Sequence, residues 1–382
     1  MTSRVYSGTD VSPLLADIDR DVEAGFRATL ALAFCSADQD ASALGGALSD
    51  RGLRVVGATT AGEIAGPDVL GGAAVVMLWD AAPEGFLVWS GARAEAEATE
   101  ALTGRLGRAA AEQFARPVVI AFVSGLGTDG EAVVRGVREG AGRDLPLYGG
   151  LAGDDLRVEE TLVFSGVGAL PDGVVALVLD GDRYHVEGVA TSGWQAVGVE
   201  KTVTRSEANA VYALDGEHVL DVYRRYFDLG DLRGADVDIM AEVGSHFPLS
   251  VERGGGAAVM RAPLFSDLDR EALVFGGTVE EGARVRFCIP PSLDVADRVI
   301  AEARALQERL PVADAVLLVS CTARRLALGP TAEDEVAGIH DVWGAPTAGF
   351  FSYGEIAPPA GAACDFHNVT CALVAVRERA AS

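Results

Sequence analysis

Lysine is almost missing from this chain. Lys201 is the only one among 382 residues, so any basic function falls on arginine. The formal net charge is −25. A surface that acidic repels nucleic-acid phosphates and anionic membranes, and no Lys/Arg cluster reverses it locally. The Ala, Arg, Asp, Glu and Gly bias reads equally well as genome composition. Cysteines number five, an odd count, at positions 35, 288, 321, 364 and 371, and no two have C-x-x-C spacing. That argues against a zinc ribbon or a disulfide framework and predicts reduced thiols. Long apolar runs are also lacking. Gly72–Trp79 and Val174–Leu179 fall far short of the ~20 residues that span a bilayer. Met1 to Asp10 carries no apolar core of a signal peptide, so a soluble, cytoplasmic protein is expected. Walker A, G-x-S-x-G and H-E-x-x-H patterns are absent, and no enzyme is expected.

What is present is a globular composition, with 49% apolar residues, 23% charged residues and 46 glycines. The length predicts two or three domains. Three segments share one grammar of strand, helix and short strand closing on small residues. The first runs from Ala31 through Cys35–Ser36 to Gly57-Ala58-Thr59-Thr60-Ala61-Gly62-Glu63-Ile64. The second runs from Val118 through Ser124–Gly125 and a helix over Asp129–Glu139 to Leu147-Tyr148-Gly149-Gly150-Leu151-Ala152-Gly153-Asp154-Asp155. The third runs from Ala315 through Ser320–Cys321 to Thr347-Ala348-Gly349-Phe350 and Tyr353-Gly354-Glu355-Ile356. Their strands are continuously apolar, as expected of strands covered on both faces. The first and third closings share T-A-G and G-E-I, which suggests pseudo-repeated α/β halves. Gly, Ala and Val are common enough here that chance competes with that reading.

Elsewhere the pattern changes. Leu162–Val167, Gly173–Leu179, Tyr184–Thr191 and Val197–Thr204 are short strand-like runs separated by turn signals, which predicts an antiparallel meander. Ser206–Leu214 and Gly216–Tyr226 read as helical, and Asp228–Asp236 as a connector. Ile239–Val243, Ala257–Ala262, Ala272–Gly276 and Arg284–Cys288 read as strands. An amphipathic helix is predicted over Leu293–Leu310, with Ser292 as its N-cap and Pro311 beyond its end. Strand Val369–Val376 closes the chain. The fold class expected is α/β (mixed α+β) in two domains with mixed sheets, at 28–225 and 226–365, followed by a final strand and polar tail at 366–382.

Taken in order, these pieces resemble the FIST family. The N-terminal FIST domain is suggested by Val56–Ile64 and by Leu147–Asp155 with Phe164. The C-terminal domain is suggested by Ser320-Cys321-Thr322-Ala323-Arg324, by Gly349–Ala357 and by Phe366-His367-Asn368-Val369-Thr370. The resemblance implies a bacterial-type intracellular signal-transduction sensor that binds a small ligand, with an amino acid proposed. It implies signalling to a separate partner, such as a histidine kinase or a cyclic-di-GMP enzyme (diguanylate cyclase or phosphodiesterase). Some relatives bind haem and sense nitric oxide, so a haem-binding nitric-oxide sensor is the alternative the resemblance implies. A non-catalytic interaction scaffold is the other reading.

The candidate site lies at the strand ends, where α/β domains bind ligands. Glycines there (Gly57, Gly62, Gly149, Gly150, Gly349) let a ligand approach the backbone. Thr60, Tyr353 and Asn368 lie in the same stretches. Glu63 and Glu355 are candidates to hold an ammonium group; the alternative is a tight turn with a solvated carboxylate. Asp154 and Asp155 offer further acceptors, or form a turn and helix cap. Arg324 is a candidate clamp for a carboxylate, or one half of an ion pair. Cys321, near Arg324 and Arg325, reads as a reactive thiol or as a small buried residue; Cys35 is assigned the equivalent place in the first unit. His367 is the candidate haem ligand, or else caps the final strand. No cofactor is required, and no metal site is expected. Gly125, Gly127 and Gly130 meet G-x-G-x-x-G, but no acidic residue follows at the distance a dinucleotide fold needs.

Overall fold

The computed structural model describes residues 1–229, 232, 238–253, 258–290 and 295–380. It is an α/β protein with mixed sheets arranged as two bodies. The larger body holds three six-stranded sheets built on one plan. In the first, the order is Thr2–Gly8, Ala74–Asp80, Leu30–Ser36, Arg54–Thr60, then the hairpin Val163–Ser165/Gly168–Leu170. In the second it is Phe86–Ala92, Gly173–Asp180, Pro117–Val123, Leu147–Leu151, then the hairpin Glu355–Ala357/Asp365–His367. In the third it is Tyr184–Thr191, Cys371–Glu378, Ala315–Cys321, Thr347–Ser352, then the hairpin Glu63–Ala65/Asp68–Leu70.

Each sheet thus has one parallel pair, joined by a helix as parallel pairing requires. Antiparallel strands flank that pair. The hairpins are exchanged cyclically. The hairpin of the first unit completes the third sheet, that of the second completes the first sheet, and that of the third completes the second sheet. The repeat is therefore in thirds, and the two halves suggested by the sequence are two of three units.

The inner faces of all three sheets share one core, where Phe34, Phe122 and Phe350 meet with ring centroids 4.9, 5.3 and 5.6 Å apart. The outer faces are covered by helices: Val11–Glu23 and Ala41–Asp50 on the first sheet, Thr99–Gln113 and Gly130–Ala141 on the second, Val295–Arg309 and Thr331–Trp343 on the third. Burial on both faces is why these strands read as unbroken apolar runs.

The second body interrupts the third unit. Between Tyr184–Thr191 and Val295–Arg309 the chain makes a separate antiparallel sheet, in the order Ala258–Arg261, Leu249–Glu252, Arg284–Ile289, Gln195–Glu207, Ala210–Leu214, Ala272–Phe275, Pro263–Asp267. Its core gathers Val203, Val211, Tyr223, Phe275 and Phe287.

Several expectations are corrected. The predicted meander does not exist, because Val163–Ser165, Gly173–Asp180, Tyr184–Thr191 and Gln195–Glu207 enter four different sheets. Turn signals mark chain reversals, but they do not say which strand the next one joins. Ser206–Leu214 is strand rather than helix; it is a tight return at Ala208, with φ 51°, between two paired strands. Ile239–Val243 is not a strand, since Met240–Gly244 forms a turn of π-helix. The predicted N-cap Ser292 lies outside the described residues, as does most of Asp228–Asp236. No helix among the described residues is long and apolar enough to cross a membrane.

The crowded strand pairing leaves no room for a side chain at one register position. At Gly149 the backbone has φ +131°, and a Cβ would fall 1.9 Å from the carbonyl oxygen of Ala121. Gly149→Ala is therefore expected to destabilise by at least about 3 kcal/mol, since it combines a forbidden backbone conformation with a main-chain clash. The thermal midpoint of the purified variant checks this; a midpoint within a degree of wild type would refute it.

Candidate functional site

The parallel strands of the second and third sheets end side by side, and the second body lies across those ends. A cavity of about 750 Å³ opens at this junction. From the larger body come Gly125 to Asp129, Leu151, Leu156, Val158, Cys321 to Ala323, Leu326, Tyr353 and Asn368. From the second body come Ala208, Asn209, Met240, Ala262 to Phe265 (except Pro263) and Phe275 to Thr278, with Asp238. Strand carboxyl ends are where α/β folds place ligands, and the walls here are mostly apolar.

Of the residues proposed from sequence, Cys321, Tyr353 and Asn368 line this cavity. Cys321 ends its strand, and burial pushes its thiol pKa far up, so it is held as a thiol. Its place in the sheet corresponds to Ser36, not Cys35, because Cys321 pairs with Ser352 as Ser36 pairs with Thr60. Tyr353 accepts from the Leu156 N–H at 2.9 Å and donates its hydroxyl to Asp154. Asp154 is buried and accepts the N–H groups of Val158, Glu159 and Glu160 at 3.1, 2.6 and 3.0 Å. Asp155 accepts the Ser36 hydroxyl at 2.8 Å and the Ala37 N–H at 3.2 Å. These two aspartates thus shape the loop that carries Leu156 and Val158 over the cavity mouth, and neither lines the cavity. Asp155, Leu156 and Val158 all adopt positive φ, a costly state for a β-branched residue.

Glu63 and Glu355 occupy matching places in the first and third units, and both are completely buried. Each carboxylate turns back onto the hydroxyl three residues earlier. Thr60 donates to Glu63, and Ser352 donates to Glu355 at 2.5 Å. Each also takes an N–H from the residue before the closing strand, Ala73 at 3.0 Å and Thr370 at 3.3 Å. Thr370 adds its hydroxyl at 2.8 Å. Burial raises the pKa of Glu63 to about 7 and that of Glu355 to about 8. Neither is the solvated turn carboxylate offered as the alternative to a ligand contact, and neither reaches the cavity. They tie hairpin to closing strand. The second unit has Val163 at this place.

Arg324 is also fully buried, and its guanidinium is paired bidentately with Glu335, with Nε 2.9 Å from Oε1. It donates as well to the Ser192 carbonyl and lies 4.9 Å from the centre of the Trp194 ring. This is the ion pair, not an exposed clamp. Gly62 (φ +122°) makes room for Arg325, which donates to the Ala61 carbonyl at 2.8 Å. Gly57, Gly149 and Gly349 share one register position, each beneath a swapped hairpin, and Gly150 pairs with Glu355. None of them lines the cavity.

The haem expectation fails on geometry. His367 is buried outside the cavity, its Nε2 bonded to the Ala357 carbonyl at 3.1 Å. Burial together with the nearby Arg261 lowers its pKa to about 3, so it is a neutral ring spent on the hairpin. No histidine lines the cavity among the described residues, so the side chains present do not fit a histidine-ligated haem. Among those residues no cluster of metal-binding side chains exists either.

The sequence reading missed the second body's contribution, and it set aside the Gly125–Gly127 loop. That loop does line the cavity between strand and helix. Its helix N-terminus is not open to a phosphate, because the Asp129 side chain accepts the Glu131 N–H at 2.9 Å. The G-x-G spacing was the one available signal for this wall.

Residues 29–217 match the FIST N domain and residues 220–358 the FIST C domain. The chain belongs to the FIST family, whose domains are signal-transduction sensor domains. An uncharacterized protein of Mycobacterium tuberculosis (strain ATCC 25618 / H37Rv) is 28% identical over 228 residues, covering 57% of this chain and 58% of that relative. An uncharacterized protein of Mycobacterium bovis (strain ATCC BAA-935 / AF2122/97) is 26% identical over 228 residues, with the same coverage.

Proposed function

We propose that this protein is an intracellular sensor that binds a small ligand in the cavity between its two bodies. It reports occupancy to a separate signalling chain, of the histidine kinase, diguanylate cyclase or phosphodiesterase kind that the family resemblance suggests. The observation that carries this reading is the placement of the cavity. Its size falls in the range of small-molecule sites, and its walls come from both bodies. A ligand that touches both has differential contacts with any state in which they shift relative to each other, which is what coupling to a distant partner requires. The mouth is rimmed by partly exposed Leu156, Val158, Phe265 and Leu326, an apolar surface beside the ligand site that suits a reading partner.

A thermal-shift screen of amino acids, amines, alcohols and organic acids tests the reading. A ligand at a hundred times its Kd is expected to stabilise by about 2.7 kcal/mol. Leu264→Trp, which puts a larger side chain on a half-buried lining position, should leave the unliganded midpoint nearly unchanged and remove the ligand-induced shift. If nothing in the screen stabilises the wild type, or if Leu264→Trp responds as fully as wild type, the cavity is not a sensing site.

A further inference from the structure

One short stretch at the cavity mouth has almost nothing packed over it. Leu156 to Glu160 are five consecutive exposed residues. Two of them, Leu156 and Val158, line the cavity with exposures of 40% and 66%. A segment that buries so little surface draws its order from hydrogen bonds. Each backbone N–H from Leu156 to Glu160 has a partner, and all the partners sit on two residues. Leu156 donates to the Tyr353 hydroxyl at 2.9 Å, and Arg157 to the Asp154 carbonyl at 3.1 Å. Val158, Glu159 and Glu160 donate to the Asp154 carboxylate, which also accepts the Tyr353 hydroxyl. The Arg157 side chain adds only an exposed ion pair with Asp38, which contributes little.

The ends of this stretch are fixed and its middle is strained. Before it, the Asp155 N–H donates to the Thr60 carbonyl at 3.0 Å, and the Asp155 carboxylate holds Ser36. After it, Thr161 is buried, and its hydroxyl accepts the N–H groups of the lining residues Gly125 and Leu126 at 2.8 and 3.2 Å. In between, Asp155, Leu156 and Val158 have φ of 55°, 62° and 55°. Left-handed backbone is costly for a residue with a Cβ, most of all for a branched one, and it persists only where the surroundings enforce it. The enforcing groups are Asp154 and Tyr353, and Tyr353 is itself part of the cavity wall.

We propose that residues 156–160 form a gate at the cavity mouth, hinged between Asp155 and Thr161 and held at the rim by the Tyr353 hydroxyl and the Asp154 carboxylate. When those bonds break, the strained backbone relaxes and the cavity becomes accessible. Tyr353 belongs both to the wall and to the latch, so an occupant that shifts its ring acts on the bonds that hold the gate. The gate rests on the proposed use of the cavity as a ligand site, and its opening is a property of the free protein.

The test uses the full-length protein without a ligand. Tyr353→Phe keeps the ring in the wall and removes only the hydroxyl. Hydrogen exchange at the amides of Leu156 to Glu160 is expected to rise about tenfold, as is trypsin cleavage after Arg157. Labelling by N-ethylmaleimide, mapped by mass spectrometry, reads access to the cavity. Cys321 lines it, and its labelling should rise by a similar factor. Cys364, half-buried and outside the cavity, should keep its wild-type rate. A rise at Cys321 and Cys364 alike would mean general loosening and overturns the gate. So does a freed loop with Cys321 labelled no faster, or a loop that exchanges as in wild type. None of these results touches the sensing role, which the ligand screen decides separately. Asp154→Asn, which takes one acceptor oxygen from the loop and leaves the cavity wall intact, gives the same comparison if Tyr353→Phe folds poorly.

Discussion

Replacing Arg324 with alanine is expected to destabilise the protein by about 3–5 kcal/mol, because it strands the Glu335 carboxylate in the interior without its partner. Both side chains are almost wholly removed from solvent, and the fork-to-fork geometry satisfies both carboxylate oxygens. The same guanidinium holds the Ser192 carbonyl and stacks on Trp194. Those residues lead into the strand Gln195–Glu207, where the chain leaves the three-sheet body. The loss should thus appear as a lowered unfolding midpoint and as increased proteolysis near residue 193. A ligand clamp predicts the opposite pattern, with an unchanged midpoint and lost affinity. Glu335→Gln should cost less than Arg324→Ala, and the pair Arg324→Met with Glu335→Leu should recover much of the loss, since burying two apolar groups avoids desolvating two charges. A midpoint for Arg324→Ala equal to wild type would show that the pair is not structural.

The second large effect is on pH dependence. Burial raises the folded pKa of Glu355 to about 8 and of Glu63 to about 7, from an ordinary value of 4.5. Between those values the folded state holds protons that the unfolded chain has released. Stability from this source is therefore full below about pH 4.5 and is lost as pH rises through 7 and 8. The protonated form also completes the bonding. A proton on Oε1 can be donated to the Ser352 hydroxyl, which then donates to the Ser320 carbonyl 3.2 Å away, while Oε2 keeps both donors of Thr370. Glutamine reproduces that pattern without titrating. Glu355→Gln is expected to flatten the fall in stability between pH 5 and 9 by on the order of 3 kcal/mol, and Glu63→Gln by less. Unfolding midpoints across that range decide it. A wild type whose stability rises steadily from pH 5 to 9, or a Glu355→Gln variant with the wild-type slope, would rule out a protonated Glu355.

Much of the scaffold was legible from residues alone. Leu30–Ser36, Pro117–Val123 and Ala315–Cys321 stood out because strands covered on both faces must be continuously apolar. The helix expected over Asp129–Glu139 is present at Gly130–Ala141, with Asp129 as its N-cap. The family was legible because short motifs recur in order. The site was harder to see. Glu63, Glu355 and Arg324 carry the residue types of a ligand pocket, and in the fold they are interior ties. Type and strand-end position cannot distinguish a carboxylate facing a cavity from one folded back onto its own hairpin.

Local chemistry therefore determined many of the pieces: the continuously apolar strands of the three units, the helices that follow them, that the chain is acidic, and that three units share a grammar; it misassigned Ser206–Leu214 and Ile239–Val243 in the second body. Only the tertiary structure decided how they join. The hairpins Glu63–Leu70, Val163–Leu170 and Glu355–His367 each leave their own unit for the sheet of another, and Asn368 reaches the cavity wall because its hairpin crossed over. Strand pairing is a contest between distant partners for the same backbone edge. Its outcome is set by the shared core around Phe34, Phe122 and Phe350, which no stretch of sequence contains on its own.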